Sequence, residues 1–339
     1  MDDHISLFDN KSAIIFNNAV TRVQLGLYDG DTVVAVKRTN RPAEDRDFEK
    51  AQREKDALKA LRHDHIVSCF AHAMDEDFIY VALEPFVQLP LAVGRKVASM
   101  TLAEVVRGSG RGGTMTRSTQ IRILRQVAEG LGYLHSQGLA HRDVKPQNVL
   151  VRPRRGANTG EFIVKLSDLE FAKDLGSSSG GGGAATSTFA GGTQDWIAPE
   201  VFMKKANNRR SDVFSLGLVF FFVLSRGGHA LGERRQRVDN LMRLHYAAST
   251  THLKPTLGAV GPEAADLIER MLAADGGARS TMEEVLRHPL FWTAGEKVRY
   301  IDRIHRSYGT TPGLYHSTNA CGASIVHSFR MMKPLLTHH

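Results

Sequence analysis

His141-Arg142-Asp143-Val144-Lys145-Pro146-Gln147-Asn148-Val149-Leu150 is the stretch that decides the reading of this chain. Asp143, Lys145 and Asn148 put a carboxylate, an ammonium and an amide within six residues, and Val149-Leu150 opens an apolar run. A polar surface loop could have that composition. That reading is set aside because further charged landmarks follow at ordered intervals on both sides: Lys37 closing an apolar run, Asp168 closing another, and Ala198-Pro199-Glu200 beyond.

The chain has 339 residues, 42% of them apolar, which suits one catalytic unit of two lobes. Its two cysteines, Cys69 and Cys321, make no disulfide framework, so a reducing, cytoplasmic setting is expected. The start, Met1-Asp2-Asp3-His4, lacks the basic and apolar parts of a secretory signal. The longest apolar run, residues 216–224, falls short of the ~20 residues that span a bilayer, so no membrane segment is expected. The net charge of +8 gathers partly at Arg152, Arg154 and Arg155, at Arg209 and Arg210, and at Arg234, Arg235 and Arg237. Such clusters can attract acidic peptides or RNA, but no aromatics interleave with them, and a solvated basic surface is the simpler reading.

Periodicity predicts strands at 13–16, 20–27, 32–37, 66–70 and 78–83, with Asp29-Gly30 as a hairpin turn. A charged helix is predicted over 47–61, and Glu84-Pro85-Phe86 reads as a connector. Beyond it the pattern is mostly helical. Residues 118–136 place Ile121, Leu124, Val127, Leu131 and Leu134 on one face, and further helices are predicted at 212–224, 264–272 and 282–288. Short strands at 149–151 and 163–166 flank a loop. The Ser/Gly run 177–183 and the residues after 304 read as unstructured.

From about residue 15 to 292 the chain resembles a eukaryotic protein kinase domain. The resemblance rests on the opening stretch, on Val34-Ala35-Val36-Lys37, on Asp168, and on Ala198-Pro199-Glu200. Within that superfamily it is similar to the inositol-requiring kinase/endoribonucleases that sense unfolded proteins, and to ribonuclease L. Four stretches carry the closer likeness: residues 192–200, 211–217, 220–229 and 288–292, which include both tryptophans, Trp196 and Trp292. The tryptophans are expected to serve core packing.

The resemblance implies an α+β, bilobal kinase fold. A small antiparallel sheet with one main helix would form the first lobe (5–86), and a larger helical lobe would follow (87–292). Residues 293–339 would be a remnant of the ribonuclease-module start and a tail, too short for a domain of ~50 residues, so RNA cleavage is not expected. It implies ATP and Mg2+ as cofactors and a protein substrate. Asp143 would be the base, Lys145 a stabiliser of charge on the moving phosphoryl group, and Asn148 and Asp168 the metal ligands. Lys37 would hold phosphates and pair with an acid on the next helix. Glu54 is preferred for that pairing, with Glu49 and Asp56 as alternatives. Val23, Ala35, Glu84 and Phe86 would line the nucleotide site. Arg142 would receive a phosphate on the activation segment, where Ser177, Ser178, Ser179, Thr186, Ser187 and Thr188 lie, and Glu200 would pair with Arg279. A homodimer, or a dimer with a related kinase, is expected.

The chain departs from the kinase pattern in two places. Phe16, Asn18 and Thr21 stand at the three positions of the glycine-rich loop, which predicts weak or altered nucleotide binding. Asp168-Leu169-Glu170 replaces Asp-Phe-Gly, removing a permissive hinge. Two functions compete: an active Ser/Thr kinase, and a nucleotide-gated pseudokinase that acts by dimerising.

Overall fold

The computed structural model describes residues 5–41, 58–87, 100–108, 115–154, 161–169, 173–174, 193–205 and 207–308. The chain divides into two compact units. One takes Met1–Thr119 with Glu129–Gly180, and the other takes Gln120–Ala128 with Gly181–His339.

The first unit is built on an antiparallel sheet. Strands β1 (Ile5–Leu7) and β2 (Ile14–Asn17) both pair with β3 (Thr21–Tyr28), so together they make one interrupted edge. β3 pairs with β4 (Thr32–Asn40), β4 with β6 (Phe78–Leu83), and β6 with β5 (Cys69–Met74). The β3–β4 turn uses Asp29 and Gly30 at φ 50° and 82°, the left-handed pair a tight hairpin needs. Alternation along β4 buries Val34 and Val36 against Ala71 and Ala82 on one face. Burying each valine there contributes about 1.5–3 kcal/mol. The other face carries Ala35 and Lys37.

The strand predicted at 66–70 is displaced. β5 starts at Cys69 and runs to Met74, while Ile66 forms an isolated parallel bridge with Leu166. The amide of Val67 donates to the carbonyl of Leu166 at 2.9 Å, and the amide of Leu166 to that of His65 at 2.9 Å. The apolar run was real, but its first residues pair with a distant strand rather than with β6. Strand β1 has no strong alternation and was not anticipated. Of the helix predicted over 47–61, only 58–61 is described; 58–60 is helical and Leu61 lies past its end.

The same unit contains two short pieces, β7 (Met100–Thr101) and β8 (Leu139–Ala140), and a hairpin of β9 (Val149–Pro153) and β10 (Phe162–Leu166). In that hairpin Val149 faces Leu166. The long helix Arg117–Ser136, capped by Thr116, contributes residues to both units.

The second unit is helical. Its centre is the helix Arg209–Leu224, buried at every position from Ser211 onward. A helix enclosed on all sides needs no amphipathic period, which is why the run 216–224 reads as uniformly apolar. Asn208 caps it through a reciprocal box with Ser211. Gly217 lets the helix Pro262–Met271 approach: a Cβ there would lie 2.9 Å from Cβ of Met271. Trp196 meets Phe222 and His229 edge-on, in keeping with core packing. The helix Arg237–Ala247 was not anticipated, and Ala294–Tyr308 closes the described chain.

The expected Glu200–Arg279 pair is present and bidentate, at 2.7 and 2.8 Å. Arg279 is 2% exposed, and its five donors all find acceptors: Glu200 twice, and the carbonyls of Ala273, Ala274 and Arg210. Burial opposes ionisation of Glu200, but the Arg279 bonds outweigh it and hold its carboxyl below the ordinary value of 4.5. The stabilisation is therefore present above pH 4.5 and is lost as pH falls through the lowered value. Replacing Arg279→Met strands a buried carboxylate and is expected to cost about 3–5 kcal/mol at pH 7 in denaturant melts. A change under 1 kcal/mol would contradict this account.

Candidate active site

Asp143, Lys145 and Asn148 converge as the sequence suggested. The Asp143 carboxylate accepts from Nζ of Lys145 at 2.6 Å and from Nδ2 of Asn148 at 2.8 Å. Nδ2 of Asn148 also donates to the Asp143 carbonyl at 2.9 Å. With its nitrogen committed on both counts, the Asn148 side chain has its oxygen left to accept or to ligate.

Two local devices hold this loop. His141 is wholly buried; its Nδ1 accepts the amide of Asp143 at 3.3 Å, so Nε2 carries the proton and donates to the carbonyl of Ser167 at 3.0 Å. Ser167 in turn bonds the Asn148 carbonyl through its amide at 2.9 Å and its hydroxyl at 3.0 Å. The β9–β10 register does the rest. Because Val149 faces Leu166, Asn148 and Ser167 are the next residues outward, and Asp168 follows. Sequence reasoning did not assign roles to His141 or Ser167. The signal was available, since both flank candidate residues at one step.

Arg142 and Asp168 adopt φ of 69° and 68°, a region that costs a side-chain-bearing residue energy. The flanking bonds of His141 and Ser167 keep both in place. Asp168 contacts Nζ of Lys37, forming an ion pair across the first unit. Leu58, Val67, Cys69, Leu83 and Leu169 make an apolar lining beside Asp168. That burial would push its pKa up, but Lys37, then Lys145, outweigh it and the net shift is downward from 3.8.

The remaining expected residues divide. Val23 faces Lys37 across β3 and β4, and Ala35 lies two residues along, so all three share one face. The Glu84 carboxylate is committed elsewhere: it pairs with Lys165 at 2.9 Å and accepts the amide of Ser68 at 3.3 Å. The Phe86 ring is buried and stacks under the guanidinium of Arg152 at 4.7 Å. The Glu84 amide is committed as well, donating to the Ser68 carbonyl at 2.8 Å, so its carbonyl is the group it keeps for a ligand. Glu54, Glu49, Asp56, Glu170, Arg155, the serines and threonines of 177–188, and the tail beyond 308 lie outside the described residues.

The glycine-free loop has its own solution. Asn18 accepts the amides of Val20 at 2.9 Å and Thr21 at 2.6 Å through its side chain, and donates its amide to the Thr21 carbonyl at 3.0 Å. A self-capped turn replaces glycine freedom with fixed geometry. Phe16 and Val20 stand out from it, 51% and 53% exposed.

The donor set suits a hard divalent cation: a carboxylate kept ionised at Asp168 and an amide oxygen at Asn148. Lys37→Met would leave desolvation of Asp168 unopposed by its nearest charge. In a carboxyl-carbon NMR titration, the Asp168 midpoint is expected to rise above its wild-type value, with protonation beginning at higher pH. An unchanged midpoint would mean that Lys37 does not hold Asp168 ionised.

The protein kinase domain family matches residues 19–291. The serine/threonine-protein kinase/endoribonuclease ire-1 of Caenorhabditis elegans is 30% identical over 299 residues, covering 86% of this chain and 28% of that protein. The similarly described IRE1b of Arabidopsis thaliana is 28% identical over 316 residues, covering 87% and 34%. The chain thus spans about a quarter to a third of the length of these curated relatives. The crystal structure of Rad53 1-466 in complex with AMP-PNP superposes with a TM-score of 0.61, covering 85% of this chain and 65% of that one at 24% identity, a likeness of fold. In sequence and in fold, the chain belongs to the protein kinase domain family.

Proposed function

We propose that the chain is an active Ser/Thr protein kinase that uses ATP and magnesium. The observation that carries this is the single cluster in which Asp143 is bonded by both Lys145 and Asn148, with Asp168 held ionised on Lys37. Asp143 accepts the proton of a substrate serine or threonine hydroxyl. The hydroxyl oxygen bonds to the γ-phosphorus as the bond to the bridging oxygen breaks, and ADP leaves. Lys145 balances negative charge on the moving group. Asn148 and Asp168 would hold magnesium, which neutralises phosphate charge when bound. Lys37 would exchange Asp168 for the α- and β-phosphates, and Val23 and Ala35 would cover the base. The Glu84 carbonyl and the backbone at Phe86 would hydrogen-bond it.

The similarity to the kinase/endoribonucleases supports a stress-signalling role, dimerisation, and self-phosphorylation within residues 177–188; the cytoplasm is the setting proposed from the cysteine usage. Arg142 would dock the added phosphate. One observation favours a second reading. The Asn18-capped turn stands where bare glycine backbone would otherwise approach phosphates, and a nucleotide-gated pseudokinase would keep binding while losing transfer.

Magnesium-dependent phosphate transfer to self or to a generic protein substrate separates the two. Wild type is expected to transfer, and Asp143→Asn to lose at least about 100-fold in rate. Nucleotide binding without transfer in either protein would leave the pseudokinase.

A further inference from the structure

On the sheet face opposite Lys37, one row crosses four strands: Asn17 on β2, Arg22 on β3, Arg38 on β4 and Tyr80 on β6. Arg22 and Arg38 are direct cross-strand partners, so two guanidinium groups project from neighbouring positions on the same side. Like charges placed so are destabilising on their own. Neither arginine has an ion-pair partner among the described residues, and Nε of Arg22 is buried with no hydrogen-bond acceptor. Arg38 lies over the Phe78 ring, its guanidinium carbon 4.2 Å from the centroid. The nearby Asp75 carboxylate feels the charge of Arg38 but makes no contact ion pair with it, since its oxygens accept from the Tyr80 hydroxyl at 2.8 Å and from the amides of Asp77 and Phe78 at 3.0 and 2.7 Å.

A fixed arginine, a second beside it, and a buried unsatisfied N–H all lack the same thing, a multivalent anion. A carboxylate is satisfied by one guanidinium fork. A phosphate monoester has three oxygens and near two charges, which two forks can share. We propose that Arg22 and Arg38 form a phosphate-monoester site on the outer face of the sheet, with Asn17 at its rim. The site is separate from the proposed nucleotide-binding face, because Val23, Ala35 and Lys37 alternate to the other side of the same strands. The phosphate could be free or could be borne by a phosphoserine or phosphothreonine, and the chemistry at the arginines is the same.

The test uses the full chain without nucleotide. Thermal melts are run with and without millimolar inorganic phosphate on wild type, Arg22→Gln, Arg38→Gln and the double variant. Anisotropy compares a labelled phosphoserine peptide with its unphosphorylated twin. Phosphate is expected to raise the wild-type melting temperature, with the gain lost in the double variant. Tighter binding of the phosphopeptide by about tenfold, lost in the same variant, assigns a protein-borne source. Stabilisation by phosphate with no preference for the phosphopeptide assigns a free anion. A wild type indifferent to both probes, or a double variant that responds like wild type, overturns the site. If the glutamine variants do not fold, Arg22→Lys with Arg38→Lys decides: it keeps both charges but loses the forks, so undiminished phosphate binding overturns the proposal.

Discussion

One half-buried carboxylate shared by an ammonium and an amide, Asp143 with Lys145 and Asn148, is the constraint around which the first unit is arranged. Three polar groups in a half-buried place are costly unless each is satisfied. Here the satisfaction extends outward through His141 to Ser167, and from Ser167 back to Asn148. The loop and the end of β10 are thereby tied into one piece. Asp168 needs no independent device to reach the site, since the Val149–Leu166 pairing delivers it. Lys37, on a strand whose other face builds an apolar core, completes the charge pattern.

The second unit rests on a different solution to the same problem. Arg279 is enclosed, yet every donor is used, and Glu200 gives it a charge partner with two bonds. A buried ion pair of this kind is a poor source of net stability compared with an apolar pair. Its value is positional, since it ties residues 200, 210 and 273–279 at one point.

Much of this was legible from residues because the informative features are local. The Asp143–Asn148 spacing, the valine-rich approach to Lys37 and the apolar run ending at Leu224 each declare themselves within a few positions. What was not legible depends on distant partners. Ile66 reads as strand but pairs with Leu166, a hundred residues away. Glu84 reads as a nucleotide contact, yet Lys165 takes its carboxylate. The missing glycines read as a defect, but nothing in the composition reveals that the Asn18 side chain closes the turn instead. The arginine row across β3 and β4 exists only once the register is known.

The central claim is that the Asn148 oxygen and the Asp168 carboxylate form a magnesium–nucleotide site in spite of the rigid, glycine-free turn. Calorimetric titration of the full chain with a non-hydrolysable ATP analogue, with and without magnesium, tests it most directly, with Asn148→Ala alongside. The account predicts that magnesium tightens wild-type binding by about tenfold or more, and that most of this gain is absent in the variant. Binding that is indifferent to magnesium, or no binding at all, would contradict it.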